Sequence, residues 1–225
     1  MIRDVPNSIA CQQYAAAGAM VNVLGLSTVS GIDRGWQMEL HDSFASIEEL
    51  DQSLASHREA DGLGTSNIAN DELLGLARSL IGIYRPALSD RADEAVKNFP
   101  KARYLLVSVY RIHAGGDAAL AEIVRLRRAR SSSINLDRPE ISYEVIVGAA
   151  AGTYLFISPL PSLKVLDDGL ARTPPNYAEG VEQAAKQAAS QTDFGQERFL
   201  MRVEPGMSYV SDEFAAGNPE FWKAK

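Results

Sequence analysis

Apolar and polar residues alternate along several short runs of this chain, and each such run predicts a β-strand. The clearest run is RYLLVSVYRI at 103–112, which alternates and is rich in Val, Leu and Tyr. A helical pattern follows it, because Leu120, Ile123 and Val124 recur at the spacing of one helix face. Asp117 is a residue type that caps helices, so we expect it to be the N-cap of this helix.

The rest of the second half continues the alternation of strands and helices. ISYEVIVG and GTYLFISP predict two strands, and GAAAG at 148–152 predicts a hairpin turn between them. A short helix is predicted from Ser162, a longer Ala-rich helix over 177–190, and a last strand that ends at Pro205. The predicted order is β-α-β-β-α-β, which is the ferredoxin-like unit.

The first half has the same pattern, but the strand and most of the helix that should precede its hairpin are missing. MVNVLGLSTVSG and GWQMELHDS predict a hairpin, Ser46 and Glu49 form a capping box for a helix near Ile47, and RSLIGIYRP predicts the last strand. The helical layer is predicted to continue through NDELLGLA. Only IRDVPNSIACQQYAAAG precedes the hairpin, which is enough for a remnant helix but leaves no first strand. Because a missing strand leaves unpaired sheet edges, we expect them to be covered either by a partner chain in a homodimer or by an intimate pairing of the two halves.

Two ordered matches indicate that the halves arose by duplication. A shift of 116 positions aligns the two short helices, including Ser46 with Ser162, and a shift of 119 places RPALS (85–89) on EPGMS. This period is longer than a solenoid repeat, so two domains are predicted, an incomplete module at 1–90 and a complete one at 100–225. The charged stretch SDRADEAVKNFP is predicted to be the linker.

Composition and charge exclude several classes of protein. The 225 residues are 46% apolar, and a body of this size buries roughly 70–75% of its extended surface. The net charge of -7 disfavours nucleic acid, and RLRRAR (125–130) is expected on a solvated helix face. The single Cys11 excludes an internal disulfide, and no metal-ligand spacing occurs. Without a membrane-spanning run, we predict a soluble, cytoplasmic protein that binds neither nucleic acid nor membrane.

The run WQMELH contains the most informative candidate chemistry. Side chains alternate between the faces of a strand, so Gln37, Glu39 and His41 share one face and Trp36 lies on the other. The carboxylate can orient the imidazole as a general base or metal ligand, which makes Glu39 and His41 the candidate catalytic pair. The alternative is a solvent-exposed strand face, a wet face, whose polar residues are hydrated and have no function. The matched strand of the second half has aliphatic residues there, among them Leu155.

Aromatic and histidine residues are candidates for ligand binding. Tyr110, Tyr143 and Tyr154 would line a cavity in the second half and stack on a planar ligand, and Trp36 is a further candidate. His113 follows a strand and would bind an anion or a haem iron. The alternatives are ordinary core packing for the aromatic residues and a plain loop position for the histidine.

With these elements in place, the chain resembles the dimeric α+β barrel group, which includes antibiotic-biosynthesis-monooxygenase-like and NIPSNAP-like proteins and bacterial tandem members. The likeness lies in GWQMELHDSFAS, GTYLFISPLPSL and PGMSYVSDEFAAGNPEFW. It implies an α+β fold of tandem ferredoxin-like modules, the first truncated at its N-terminus. The wider group includes cofactor-free oxygenases, haem-degrading enzymes, haem peroxidases, lactone isomerases and proteins of no known activity. It shares no catalytic motif, so the resemblance assigns no site residue.

Three functions are compatible with these residues and stay open. The first is a small-molecule-binding barrel protein, a cofactor-independent oxygenase or isomerase that acts on a hydrophobic or aromatic compound. The second is a non-catalytic binding or scaffold protein. The third is a haem-binding protein with His41 or His113 as the iron ligand. We favour ligand binding without a cofactor, and whether the protein is an enzyme stays open.

Overall fold

The computed structural model describes residues 2–3, 21–31, 35–60, 79–113, 115–173 and 195–223. In these ranges the strands are β1 (Ile2–Arg3), β2 (Asn22–Ser30), β3 (Trp36–Leu40), β4 (Ser79–Tyr84), β5 (Tyr104–Arg111), β6 (Ile141–Val147), β7 (Thr153–Leu160) and β8 (Gly195–Val203). The helices are α1 (Phe44–Ala60), α2 (Ala92–Asn98), α3 (Asp117–Ser133), α4 (Lys164–Ala171), α5 (Asp212–Ala215) and α6 (Pro219–Lys223). Short 3-10 turns lie at Pro86–Leu88, Phe99–Lys101 and Pro205–Met207.

The chain divides into two compact units. The first unit comprises 1–80 and 201–225, and the second unit comprises 81–200. Strands β4 and β8 therefore each pass from one unit into the other. The two modules predicted at 1–90 and 100–225 stay a prediction.

The second unit has the predicted ferredoxin-like arrangement. Its elements β5, α3, β6, β7, α4 and β8 follow the order β-α-β-β-α-β, and the sheet order is β8-β5-β7-β6. The predicted hairpin of β6 and β7 is present, with its turn at 148–152. Helix α3 covers one face, where Leu120, Ile123 and Val124 pack with the strand residues Tyr110 and Phe156. The helix predicted at 177–190 lies outside the described residues.

Two local predictions for the second unit are wrong. Helix α3 begins at Asp117 itself, and Gly116 is the N-cap residue. The segment predicted as a linker at 89–100 is largely helical, since α2 and a 3-10 turn occupy it. Ala95 and Phe99 are 0% and 3% exposed, so this segment is held by an apolar contact that its charged residues concealed.

The first unit contains a strand where none was predicted. The hairpin of β2 and β3 pairs as expected, from Asn22 opposite Leu40 onwards. Strand β1 lies between β3 and β4, with Ile2 opposite both Met38 and Leu80. A strand that the sequence did not predict is thus present at Ile2–Arg3. The gap on which we based the expected partner chain is filled at these residues, and the homodimer stays a prediction.

Helix α1 begins earlier than its predicted capping box. The helix starts at Phe44, and the Ser43 hydroxyl accepts a hydrogen bond from the Ser46 N–H at 3.2 Å. Ser43 therefore takes the capping role that we assigned to Ser46. Ser46 lies within the first turn, where its side chain is available for other contacts. The helical pattern predicted at 70–77 lies outside the described residues.

Helix α1 covers one face of the first unit's sheet. Leu50 and Leu54 of the helix form a buried cluster with Val23 of β2. Val23 lies directly opposite Glu39 in the β2–β3 register, and opposite residues of an antiparallel pair share a face. The helix-covered face is therefore the one that carries Glu39.

A turn of the same construction follows β4 and β8. After β8 the Ser208 hydroxyl accepts a hydrogen bond from the Gly25 N–H, and after β4 the Ser89 hydroxyl accepts one from the Ser142 N–H. Each serine also donates to the carbonyl of the residue four positions before it. These are the matched segments RPALS and EPGMS. Their common geometry is what duplication predicts, and the duplication itself stays a prediction.

The C-terminal segment is helical rather than extended. Helices α5 and α6 contain Phe214, Phe221 and Trp222, and the Trp222 ring lies 5.4 Å and 5.1 Å from those of the two phenylalanines. Trp222 is 6% exposed. The aromatic residues therefore pack this segment within the first unit.

Candidate functional site

The candidate site is a polar cluster on β3 and the start of α1 in the first unit. We call Gln37, Glu39, His41 and Ser46 the β3 cluster. The Nε2 of His41 lies 3.1 Å from the Oε2 of Glu39, and its Nδ1 lies 3.1 Å from the Oγ of Ser46. The structure thus brings together the two residues predicted to share a face, and it adds a serine that the sequence pattern did not indicate.

The β3 cluster is buried. The side chains of Glu39 and His41 are 0% and 5% exposed, and Gln37 is 4% exposed. The alternative of a wet face is therefore wrong, and the reason is the cover that α1 provides. A carboxylate without water costs several kcal/mol unless it is paired and hydrogen-bonded, and the imidazole contact offsets part of that cost.

The hydrogen-bond pattern indicates where protons are held in the β3 cluster. The Ser46 hydroxyl donates to the Ser43 carbonyl at 2.8 Å, which uses its single hydrogen. The donor at the contact between Nδ1 of His41 and Ser46 depends on the histidine tautomer, whereas Nε2 faces a carboxylate oxygen and is therefore the nitrogen that donates. A neutral ring with its hydrogen on Nε2 keeps the bond to Glu39 and leaves the Nδ1 lone pair beside the serine.

Gln37 extends the cluster with a buried group that lacks a partner. Among the described residues its Nε2 is buried and has no hydrogen-bond acceptor, which costs about 1–3 kcal/mol. Gly25 lies opposite Gln37, and a side chain at Gly25 would collide with the backbone of Met207. The turn at Pro205–Met207 therefore covers the face beside Gln37. Polar residues at every second position of the strand were the signal for this third member.

The second unit fills its helix-covered layer with aromatic rings. Tyr110 and Phe156 pack edge to face at 5.1 Å, and Tyr154 joins the same cluster. Tyr143 lies opposite Leu155, which neighbours Tyr154, so Tyr143 points to the other face. The structure brings two of the three predicted tyrosines together and separates the third. Their role in ligand binding stays a prediction.

The expected match between the two units is shifted by one position. We expected Leu155 and Ile157 to stand where Glu39 and His41 stand. Those aliphatic residues lie on the face away from α3, and Tyr154 and Phe156 lie under the helix. The helix-covered polar residues of the first unit therefore correspond in position to aromatic residues of the second.

Burial also sets the protonation of two tyrosines. Burial raises the pKa of Tyr143 to about 12, with a smaller contribution from Tyr84. Burial likewise raises the pKa of Tyr154 to about 12, and its hydroxyl donates to the Asp117 carboxylate at 3.2 Å. Both are neutral phenols at neutral pH, so they can donate hydrogen bonds but are poor bases.

The remaining candidates lie apart from the β3 cluster. Trp36 is half-buried and opposite Leu26, on the face of β3 away from α1. His113 is exposed in the connection between β5 and α3, in the second unit. Iron ligation by His41 would have to replace one of its two ring contacts. Haem binding by either histidine stays a prediction.

Metal clusters and membrane-spanning helices are both absent from the described ranges. Within them no group of three or more His, Cys, Asp or Glu side chains could hold a metal ion. Within the same ranges no helix has the length and apolar character needed to cross a bilayer.

Comparison with solved structures identifies the fold. No protein-family model and no curated protein matches the chain. It is similar to an anthrone oxidase-like protein, with a TM-score of 0.50 and 13% identity over 90% of this chain and 89% of that one. It also matches a "putative monooxygenase" from Lactobacillus acidophilus NCFM, with a TM-score of 0.45 and 11% identity over 94% of this chain and 97% of that one. It matches another "putative monooxygenase", from Fusobacterium nucleatum, with a TM-score of 0.47 and 10% identity over 90% of each chain. The chain thus has an α+β fold, which it shares with the anthrone oxidase-like protein.

Proposed function

We propose that the protein binds a small hydrophobic or aromatic molecule in the first unit and removes a proton from it at the β3 cluster. The reaction would be a cofactor-independent oxygenation or isomerisation. One observation carries the proposal: a fully buried Glu39–His41 pair lies on the same strand face as a buried, unpartnered Gln37 amide. Structural residues alone would gain nothing from this combination, because each polar group costs free energy to bury.

Each residue of the cluster has a role in this reaction. Glu39 holds the imidazole through Nε2 and stabilises its protonated form, so Nδ1 of His41 is the position that gains the proton. The Gln37 amide would donate to the carbonyl oxygen of the substrate as negative charge develops there. In an isomerisation the proton returns to another carbon. In an oxygenation the carbanion forms a C–O bond with dioxygen, the imidazolium returns its proton to the resulting peroxide, and loss of water leaves a carbonyl group.

The half-buried Ser46 marks the side from which a substrate would approach the His41 ring. His41 and Glu39 are buried, whereas Ser46 is partly exposed and contacts the Nδ1 atom. A substrate proton can reach the ring through the Ser46 hydroxyl or after displacing it. Ser46 is not a nucleophile in this scheme, because its hydrogen is directed at the Ser43 carbonyl.

The name of one solved neighbour suggests the first substrates to test. An anthrone oxidase-like protein shares the fold, and anthrone is a polycyclic ketone with an acidic C–H bond. At 13% identity the likeness supports the fold only. The substrate class therefore depends on the chemistry of the β3 cluster and on experiment.

Oxygen consumption and ligand binding test the proposal. Aromatic ketones and phenols, with anthrone first, are screened by thermal shift and with an oxygen electrode, and isomerisation is followed by NMR. His41→Gln should lower the turnover of any active compound by about 100-fold or more, and Glu39→Gln should lower it less. The matched control is His113→Gln, on an exposed histidine, which should leave turnover unchanged.

Two results would refute this function. Full turnover in His41→Gln would place the chemistry elsewhere, and an absence of binding by every compound in the screen would favour the scaffold alternative. A Soret band shift on haem titration that His41→Gln abolishes would instead support the haem-binding alternative.

A further inference from the structure

A small, partly open pocket lies beside helix α3 in the second unit. Its charged and polar lining consists of Asp90, Arg127, Arg128, Ser131, Arg138 and Glu140. Three guanidinium groups thus face two carboxylates. Leu88 and Val124 add an apolar wall. A local excess of positive charge in a chain with a net charge of -7 calls for an explanation.

Arg127 already has a carboxylate partner. Its Nη2 donates to Glu140 at 2.7 Å, and its guanidinium lies 5.5 Å from the Tyr110 ring centre and 5.2 Å from that of Phe156. The Glu140 carboxylate also accepts a hydrogen bond from Ser158. The Oε2 atom of Glu140 is therefore engaged by two donors. Even so, the Nη1 of Arg127 is buried without an acceptor among the described residues.

Arg128 and Arg138 have no carboxylate partner among the described residues. Arg128 donates through Nη2 to the carbonyl oxygens of Ala87 and Ser89, and its buried Nε has no acceptor in the same ranges. Burial lowers the pKa of Arg138, and repulsion by neighbouring arginines, among them Arg127, lowers it further despite the opposite effect of Glu140. The pocket therefore has a surplus of positive charge and of N–H donors.

These arginines are turned inward, contrary to the sequence prediction. The run RLRRAR was expected on a solvated helix face, and Arg125 fits that expectation, with a side chain 65% exposed and paired only with Glu122. The Arg127 side chain is 18% exposed. Burying a guanidinium is expensive, so a pocket that collects three of them is a built feature rather than a by-product of surface charge.

We propose that this pocket binds the phosphate group of a small organic phosphate. Guanidinium groups present planar N–H pairs that match tetrahedral oxyanions, and charge-assisted hydrogen bonds of this kind are the strong ones. Arg128, Arg138 and the Ser131 hydroxyl are the donors, and the Leu88–Val124 wall contacts the organic part. The site lies wholly in the second unit and is independent of the proposed reaction in the first.

Calorimetric titration of the full chain at fixed ionic strength tests the site with two probes, inorganic phosphate and phenyl phosphate. Both should bind, and phenyl phosphate should bind more tightly because of the apolar wall. Arg138→Gln should weaken phenyl phosphate binding about tenfold or more, and Ser131→Ala by about threefold. Arg125→Gln removes an arginine from the exposed face of the same helix and should leave the affinity unchanged.

Three results would overturn the proposal. One is no heat of binding for either probe, and another is equal weakening by Arg125→Gln and Arg138→Gln, which would mean nonspecific attraction. The third is unchanged affinity in both Arg138→Gln and Ser131→Ala. Circular dichroism verifies that each variant is folded, and if Arg138→Gln is not, Ser131→Ala against Arg125→Gln decides. Benzoate should compete poorly, since a carboxylate carries less charge than a phosphate.

Discussion

Each unit has a layer of side chains between its sheet and the helix that covers it. This layer is polar in the first unit and aromatic in the second. In the first unit this layer contains the Glu39–His41 pair, and in the second it contains Tyr110 and Phe156 with the Arg127 guanidinium on their rings. Aromatic packing is favourable by itself, whereas an ionisable pair at this depth barely offsets its desolvation. The second unit therefore has a layer built for stability, whereas the first has the polar layer on which the proposed function depends.

The comparison extends to the turns that follow β4 and β8. Both turns hold a serine against a strand N–H, but the strand residue is Gly25 in the first unit and Ser142 in the second. The Ser142 side chain finds room and bonds to the Arg85 carbonyl, whereas Met207 leaves no space for one at Gly25. The same backbone pattern thus allows a side chain in one unit and forbids it in the other.

The largest effect should come from the aromatic layer. Phe156→Ala should lower the free energy of unfolding by about 3–5 kcal/mol, because it removes a fully buried ring that packs on Tyr110 and Arg127. Chemical denaturation followed by tryptophan fluorescence and circular dichroism measures this. Ile146→Ala, on a side chain exposed in the same sheet, should change stability by less than about 0.5 kcal/mol. Similar small losses in both variants would contradict a stabilising layer.

The polar layer should show the next largest effect. Glu39→Ala leaves a buried imidazole without its carboxylate and should cost about 3 kcal/mol, whereas Glu39→Gln keeps the shape and should cost less. The same denaturation experiment measures both. Glu48→Ala, on the exposed face of α1, is the control and should be nearly neutral. A stabilised Glu39→Gln variant would sharpen the comparison, since it would show that the ion pair is kept at the expense of stability.

The turn geometry gives a smaller effect. Gly25→Ala should destabilise the first unit by about 1–3 kcal/mol, because the new methyl group meets the Met207 backbone. Gly206→Ala lies in the same turn with nothing near the added carbon, so it should be close to neutral. Thermal unfolding of the two variants side by side distinguishes them. Equal melting temperatures would mean that the turn can move away from β2 at little cost.

The smallest effect is a pH dependence in the second unit. The folded-state pKa of Tyr143 is raised to about 12 from its ordinary value of 10.0, so the folded state holds this proton more tightly than the unfolded state does. The corresponding stability is present below about pH 10 and is lost as the pH rises toward 12. In Tyr143→Phe, the loss of unfolding free energy between neutral and alkaline pH should be smaller by on the order of 1–2 kcal/mol. Urea unfolding at pH 7 and at alkaline pH measures it, and parallel slopes in both proteins would contradict it.

Local patterns in the sequence predicted much of the fold but less of the candidate site. Strands β2 to β6 fall within their predicted runs, and β7 and β8 overlap theirs, because alternation of side chains is a property of each strand alone. The same alternation put Glu39 and His41 on one face. It could not give the Ser46 contact, which depends on where α1 begins, and it gave no sign that the Gln37 amide lacks a partner.

What the sequence determined by itself is therefore the order of strands and helices and the residues that share a strand face. Tertiary structure alone decided which face is covered, which arginines of α3 point inward, and that Ile2–Arg3 forms a strand. The physical reason is the range of the interactions. Periodicity depends on neighbours a few residues apart, whereas burial depends on segments that meet only after folding, such as Val23 with Leu50 or Gly25 with Met207.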